Sequence, residues 1–185
     1  NASDWTIFHQ GIGNTRRFRL NDNAGQSASS AGWFNNTSPT STVVSLGNDA
    51  GSNGSTDNYV AYCFADVSSF SKFGSYVGVG PTGASNGFGD GVFVYTGFRP
   101  ALVMVKKTES EFMPIMDSKR DPDNFCQARL FPAHNYEESA EGVMDFVSNG
   151  FKARNGGGMS IISEPGKEYV YYAFAEFPFK NSRAR

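Results

Sequence analysis

Charge is scarce in this chain. Asp, Glu, Lys and Arg make up only 18% of its 185 residues, and the formal net charge is −2. Nucleic-acid binding therefore has no electrostatic footprint here. Cysteine is nearly missing, with only Cys63 and Cys126. Two thiols build neither the disulfide framework of a small secreted scaffold nor a cysteine-rich zinc site, and Cys63 reads as a small buried hydrophobe. Histidine is limited to His9 and His134. No GxSxG elbow presents a nucleophile to either of them, so both read as structural rather than as catalytic bases. No apolar run approaches the roughly 20 residues that a membrane-spanning helix needs.

What the chain does have is aromatic side chains, 15% of its residues with 17 Phe, and 21 Gly. That is the composition of a turn-rich all-β protein. One phrase occurs twice, YVAYCFADV at Tyr59–Val67 and YVYYAFAEF at Tyr169–Phe177. Tyr, Phe and Val favour a pleated surface, and alternation would place Val60, Tyr62 and Phe64, or Val170, Tyr172 and Phe174, on a core. The opposite face is small, with Ala61, Cys63 and Ala65 in one copy and Tyr171, Ala173 and Ala175 in the other. Each copy is therefore expected to be a central strand covered on both sides. Weaker echoes keep the same order: Val43–Gly47 with Phe146–Gly150, Arg19–Leu20 with Arg129–Leu130, and Trp5–Phe8 with Met113–Met116.

Such self-similarity implies an architecture of repeats. The expected fold is all-β, a jelly-roll or lectin-like β-sandwich of two related multi-stranded units forming one domain over residues 1–185. Unit one covers about 1–73, a hairpin 72–98, and unit two about 99–180. The strand Ala101–Lys107 has no counterpart in unit one. That unit is expected to be incomplete at its N-terminus, and the chain to be the C-terminal part of a longer one.

The pattern predicts strands at Trp5–His9, Arg17–Asn21, Val43–Leu46, Asn58–Asp66, Lys72–Val79 and Val92–Gly97. It predicts others at Ala101–Lys107, Met113–Asp117, Gln127–Phe131, Met144–Ser148 and Tyr169–Phe177. Residues Asn21–Ser41 read as a long surface loop pinned by Trp33 and Phe34, and Tyr136–Glu141 as one helical turn. The GVGPTG run at Gly78–Gly83 matches a dinucleotide-binding fingerprint only in letters. Pro81 and further glycines follow where that motif needs a helix, so it reads as a hairpin tip.

Few residues invite chemistry. Asp66 and Glu176 recur at one point of the two units, and duplication explains them better than the paired carboxylates of a glycoside hydrolase do. Asp117, Asp121, Asp123 and Asn124 offer calcium-type oxygen ligands without the spacing of a known loop, and DPDN is ordinary turn chemistry. Neither a cofactor nor a metal is expected. The candidate ligand surface is aromatic: Trp33, Phe34, Tyr95 and Tyr136, read as exposed rings able to stack on sugars or line a subunit contact.

Five strings, Trp33–Gly47, Tyr59–Tyr76, Phe93–Thr108, Asp145–Asn155 and Tyr169–Arg185, together resemble a β-rich domain of unknown function. That domain is widespread in tail fibres and other virion structural proteins of tailed bacteriophages. The resemblance covers nearly the whole chain, which departs from the pattern in a longer hairpin over residues 80–91 and in Met113 where the pattern has Trp. It brings no catalytic residues. It implies a non-enzymatic virion protein, a tail-fibre or spike module for host attachment, exposed on the particle after assembly in the host cytoplasm. The implied partners are copies of itself as a trimer, neighbouring virion proteins, and a host-surface glycan or protein, without nucleic acid or membrane insertion. The alternatives are a capsid decoration or fibre protein, and a lectin-like module or glycan depolymerase.

Overall fold

The computed structural model describes residues 4–28, 31–80, 91–109, 111–154 and 161–177. Within them the chain is all-β and sandwich-like, as its composition implies. The first strands are β1 (Thr6–Ile7), β2 (Phe18–Arg19), β3 (Ser71–Val77), β4 (Phe93–Tyr95) and β5 (Pro100–Lys107). They are followed by β6 (Ile115–Asp117), β7 (Cys126–Leu130), β8 (Ser139–Val147), β9 (Gly150–Ala153) and β10 (Glu168–Ala175). Helix is confined to a 3-10 turn at Gln10–Ile12 and two single turns, α1 (Ala31–Phe34) and α2 (Ala50–Asn53).

Eight strands form one antiparallel sheet in the order β3-β10-β5-β6-β7-β8-β9-β4. Its inner face contributes Tyr76, Val94, Val105, Met116, Cys126, Phe146, Phe151 and Tyr171 to a single cluster. Every strand of the sheet is represented there, so the sheet curls nearly into a barrel around its own core. Rings meet across that interior: Phe151 on β9 lies edge-on to Tyr76 on β3 at 6.0 Å and to Tyr171 on β10 at 5.3 Å. The turn at Ile161–Ile162 closes one end, where the Tyr76 hydroxyl donates to the Ile162 carbonyl at 2.7 Å.

Strand β10 shows why the alternation in its sequence matters. Tyr169, Tyr171 and Ala173 point into the barrel. Val170 and Tyr172, with Phe174 beside them, point outward into a second core with Phe18, Phe73 and Met113. The pair β1–β2 and the 3-10 turn supply the cover on that side, through Ile7, Phe18 and Ile12. Hydrogen bonds fix the cover in place. The Gln10 side-chain amide donates to the Phe73 carbonyl at 2.5 Å, and Lys106 on β5 donates to the carbonyls of Asp22 and Glu111 at 3.1 and 3.0 Å. Burial lowers the Lys106 pKa. Among the described residues, the Tyr172 hydroxyl enters this core without a hydrogen-bond partner. Leaving a hydroxyl dry and unpaired costs more than replacing it with hydrogen. Tyr172→Phe is therefore expected to raise stability by up to about 1 kcal/mol in urea unfolding, and a loss of stability would show that the hydroxyl is satisfied in solution.

One close approach in this sheet needs glycine. A Cβ at Gly74 on β3 would stand 2.8 Å from the hydroxyl and 2.9 Å from the ring of Tyr171, its cross-strand partner.

Several expectations are corrected. Residues Asn58–Asp66 form no strand and are exposed, although the same phrase makes β10 central and doubly covered. Val43–Leu46 likewise forms no strand. Among the described strands, unit one echoes unit two through β1–β2, an antiparallel pair that corresponds to β6–β7. The segments at 72–79 and 92–97 do not pair as a hairpin: β3 pairs with β10 and β4 with β9, at opposite ends of the sheet. The helical turn at Tyr136–Glu141 is absent, because β8 already begins at Ser139. Strand β9, not expected at all, pairs back on β8 through the Ser148–Asn149 turn. Half of the GVGPTG tip (81–83 of 78–83), most of the longer hairpin at 80–91 and the basic tail Lys180–Arg185 lie outside the described residues.

Candidate functional site

The four aromatic candidates do not converge, and among the described residues no ring contact joins any two of them. Trp33 is buried at 9% exposure, against the expectation of a free ring. Its face is covered by the Arg17 guanidinium at 4.4 Å, and a Cβ on Gly51 would lie 2.3 Å from its Cη2. It is a loop anchor, not a stacking platform. Phe34 is half-buried and meets Phe8 edge-on at 5.8 Å. Tyr95 is exposed on the edge strand β4.

Tyr136 is exposed too, and it belongs to a group that the sequence did not reveal. Its ring lies 4.6 Å from His134 at an interplanar angle of 7°. His134 also meets Phe112 edge-on at 4.9 Å, and Phe112 leans on Phe131 at 5.3 Å. The His134 Nε2 is 2.8 Å from Asn23 Oδ1. These rings hold the β7–β8 connection against the segment before β6. The signal available in advance was the short spacing of Phe131, His134 and Tyr136, legible only once Phe112 is known to be beside them.

The titratable candidates serve the scaffold. His9 is buried, caps the 3-10 turn by accepting the Gly11 N–H at Nδ1 (3.0 Å), and places Nε2 3.2 Å from the Tyr171 carbonyl. Because Nδ1 accepts, Nε2 carries the proton and donates, which fixes a neutral tautomer. Burial lowers the His9 pKa, against the raising effect of the Tyr171 carbonyl. The sign follows from linkage: a lowered folded pKa means that the unfolded chain takes up the proton first. Stability is then fully present above the unfolded value of about 6.5 and is lost as pH falls from there through the folded pKa. Unfolding curves from pH 7.5 to 5 are expected to show this loss, and His9→Gln is expected to flatten it. An unchanged slope in that variant would show that another group titrates.

Asp66 accepts the Phe73 N–H at 2.8 Å and pairs with Lys72 at 2.5 Å. Glu176 pairs with Arg99 at 2.8 Å. The recurring carboxylates thus have separate structural partners. Asp117 caps its turn by accepting from Lys119 and Arg120 N–H groups at 3.0 and 2.8 Å and pairs with the Arg120 guanidinium at 2.5 Å. Partial burial opposes its ionisation, but those donors outweigh it and hold the carboxyl below its usual range. Asp121 accepts from the Gln127 and Ala128 N–H groups at 2.5 and 3.2 Å, while Asp123 is exposed. Among the described residues no group of three or more potential ligands gathers as a metal site. Cys126 is buried, which pushes its thiol up to about 11. Cys63 is exposed, correcting its reading as a buried hydrophobe.

One comparison carries the classification: a family model matches residues 1–178. The chain belongs to the family described as domain of unknown function DUF7483. The match takes in the curled sheet and its outer cover alike, so both layers belong to the DUF7483 domain. No curated protein and no solved structure matches the chain. Among the described residues, no helix of this DUF7483 domain is long and apolar enough to cross a membrane.

Proposed function

We propose that this DUF7483 domain is a non-enzymatic structural module of a bacteriophage virion, a tail-fibre or spike unit that contacts the host surface. It works beside copies of itself, as a trimer, and neighbouring virion proteins. One observation carries the non-enzymatic part: the candidate acids and bases, His9, Asp66, Asp117, Asp121 and Glu176, are each tied to caps, turns or ion pairs of the scaffold. Groups held in that way position backbone rather than reacting atoms. The virion part is supported by the resemblance of the five strings to phage tail-fibre domains. A rigid β-scaffold carrying long polar loops suits recognition.

Immunogold labelling of the particle with antibody to this chain tests the reading. Label on the fibre or spike is the expected result. Label on the head would favour capsid decoration instead, and no label on any particle would overturn the proposal.

A second reading, glycan binding, is favoured by a single feature: Tyr136 is exposed and held parallel to His134. A glycan array would support it if signal appears with the wild-type chain and fades with Tyr136→Ala.

A further inference from the structure

One end of the outer cover is fastened by a group that can take up a proton. No residue of the 3-10 turn Gln10–Ile12 is buried, so apolar contact holds the turn weakly and its hydrogen bonds decide where it sits. His9 Nδ1 accepts the Gly11 N–H at 3.0 Å, and Nε2 of the same ring reaches the Tyr171 carbonyl on β10 at 3.2 Å. Gln10, next in the chain, donates to the Phe73 carbonyl on β3, the first strand of the sheet. The fit is close. A Cβ at Gly11 would stand 3.0 Å from His9 Nδ1 and 3.1 Å from Val170 Cγ1.

The other end of the cover is fastened differently. There Lys106 donates to the carbonyls of Asp22 and Glu111. The Gln26 N–H donates to the Thr108 carbonyl at 2.8 Å, and the Glu111 N–H to the Asn23 carbonyl at 3.0 Å. The chains touch closely enough that a Cβ at Gly25 would stand 2.6 Å from the Glu109 carbonyl carbon. Every acceptor in this set is a backbone carbonyl, which does not titrate. The inner cluster, for its part, takes none of its described residues from before Tyr76, so the turn can move without opening it.

We infer that His9 is an acid-released latch: its protonation frees residues 9–13 from β3 and β10, while the cover stays hinged at residues 22–26 and the inner core stays closed. A protonated imidazole donates from both nitrogens. Nδ1 then faces the Gly11 N–H with like polarity, and the cap is lost. The turn that His9 starts loosens, Gln10 lets go of Phe73, and Ile12 leaves the rim of the outer core. Asp66 is the acid whose field favours the imidazolium, but its carboxylate is already engaged by the Phe73 N–H and by Lys72 on β3. From β10, His9 meets the Tyr172 ring edge-on at 4.8 Å and the Tyr171 carbonyl, neither of them charged. The turn itself offers Gln10, Gly11 and Ile12, all neutral. Release bares the Phe73 carbonyl on an edge strand beside apolar Val170, so acid turns a sealed edge of the sheet into an open one. The inference does not depend on the virion reading.

Amide hydrogen exchange of the intact chain under native conditions, corrected for intrinsic rates, tests the latch. The reporters are the N–H groups of Gly11, Ile12 and Gly13, bonded to His9 Nδ1 and to the His9 and Gln10 carbonyls. The reference is the Val105 N–H, bonded to the Pro114 carbonyl inside the sheet. Protection of the turn is expected to lie at least about a hundredfold below that of Val105 and to ignore low urea, because a local opening exposes little surface. It is expected to fall up to about tenfold per pH unit below roughly pH 6.5, the pKa of a freed imidazole. His9→Gln keeps an amide donor and acceptor but cannot take up a proton, so it is expected to abolish the pH dependence. Gln10→Ala leaves His9 in place, and is expected to lower protection several-fold at pH 7.5 while keeping the pH dependence. Turn amides that match Val105 in protection and in urea dependence would show that the turn opens through global unfolding alone, and would overturn the inference. Protection that holds constant from pH 7 to 5.5, or a pH dependence that survives in His9→Gln, would overturn it equally.

Discussion

Phe151→Ala is expected to cost about 3–5 kcal/mol of unfolding free energy, the range for deleting a buried aromatic ring from a packed core. Phe151 is fully buried, on the seventh strand of the sheet, and its ring meets Tyr76 and Tyr171 on the first and second strands. It thus bridges the ends of the curl rather than neighbours within it. Truncation removes the transfer free energy of the ring and leaves a cavity whose walls are held apart by hydrogen-bonded strands, so collapse is limited. Urea unfolding followed by tyrosine fluorescence measures the change. A cost below about 1 kcal/mol would mean that the interior adjusts freely, contrary to a close-packed barrel.

Phe18→Ala is expected to be nearly as severe, about 3–5 kcal/mol by the same mechanism, but it strikes the other layer. Phe18 on β2 is buried at the centre of the outer core with Phe73, Val170 and Tyr172. Because Val170 and Tyr172 sit on the strand whose other face lines the barrel, the two cores share a backbone. The variant is therefore expected to unfold in a single transition at lower denaturant, with far-UV and near-UV signals coincident. Two separated transitions would show that β1, β2 and the 3-10 turn form an independent layer.

How much of this was legible depended on whether local sequence or distant pairing decides the outcome. The faces of β10 could be read directly, because alternation of side chains is a local property of a strand. The same reasoning failed at Tyr59–Val67, where an almost identical phrase lacks a ladder. Strand propensity describes how side chains fit a pleated surface, whereas a strand exists only beside a partner. The expected 72–98 hairpin failed for a related reason. Sequence neighbours pair by default, but β3 found β10 and β4 found β9 once the sheet curled. Strand β9 was missed although Asn149–Gly150 after an apolar run is a hairpin signal; its four residues were too few to register as a pattern. Of the ring candidates, only Tyr136 gained a context. Trp33 sits among polar loop residues, and nothing local announces that Arg17 and Gly51 will enclose it. Asp117 was legible only as a possible oxygen ligand at a strand end, whereas its carboxylate caps the backbone that follows it within three residues.

The position of β10 in the sheet has a consequence for synthesis. It is the last of the described strands to be made, yet it lies second in the sheet, joining β3 to β5 and completing both cores. Until it leaves the ribosome, neither layer has its central wall, and the aromatic faces of the earlier strands wait uncovered. Folding of this domain therefore waits until β10 has been made, and the nascent chain passes through its most aggregation-prone form just before that strand emerges.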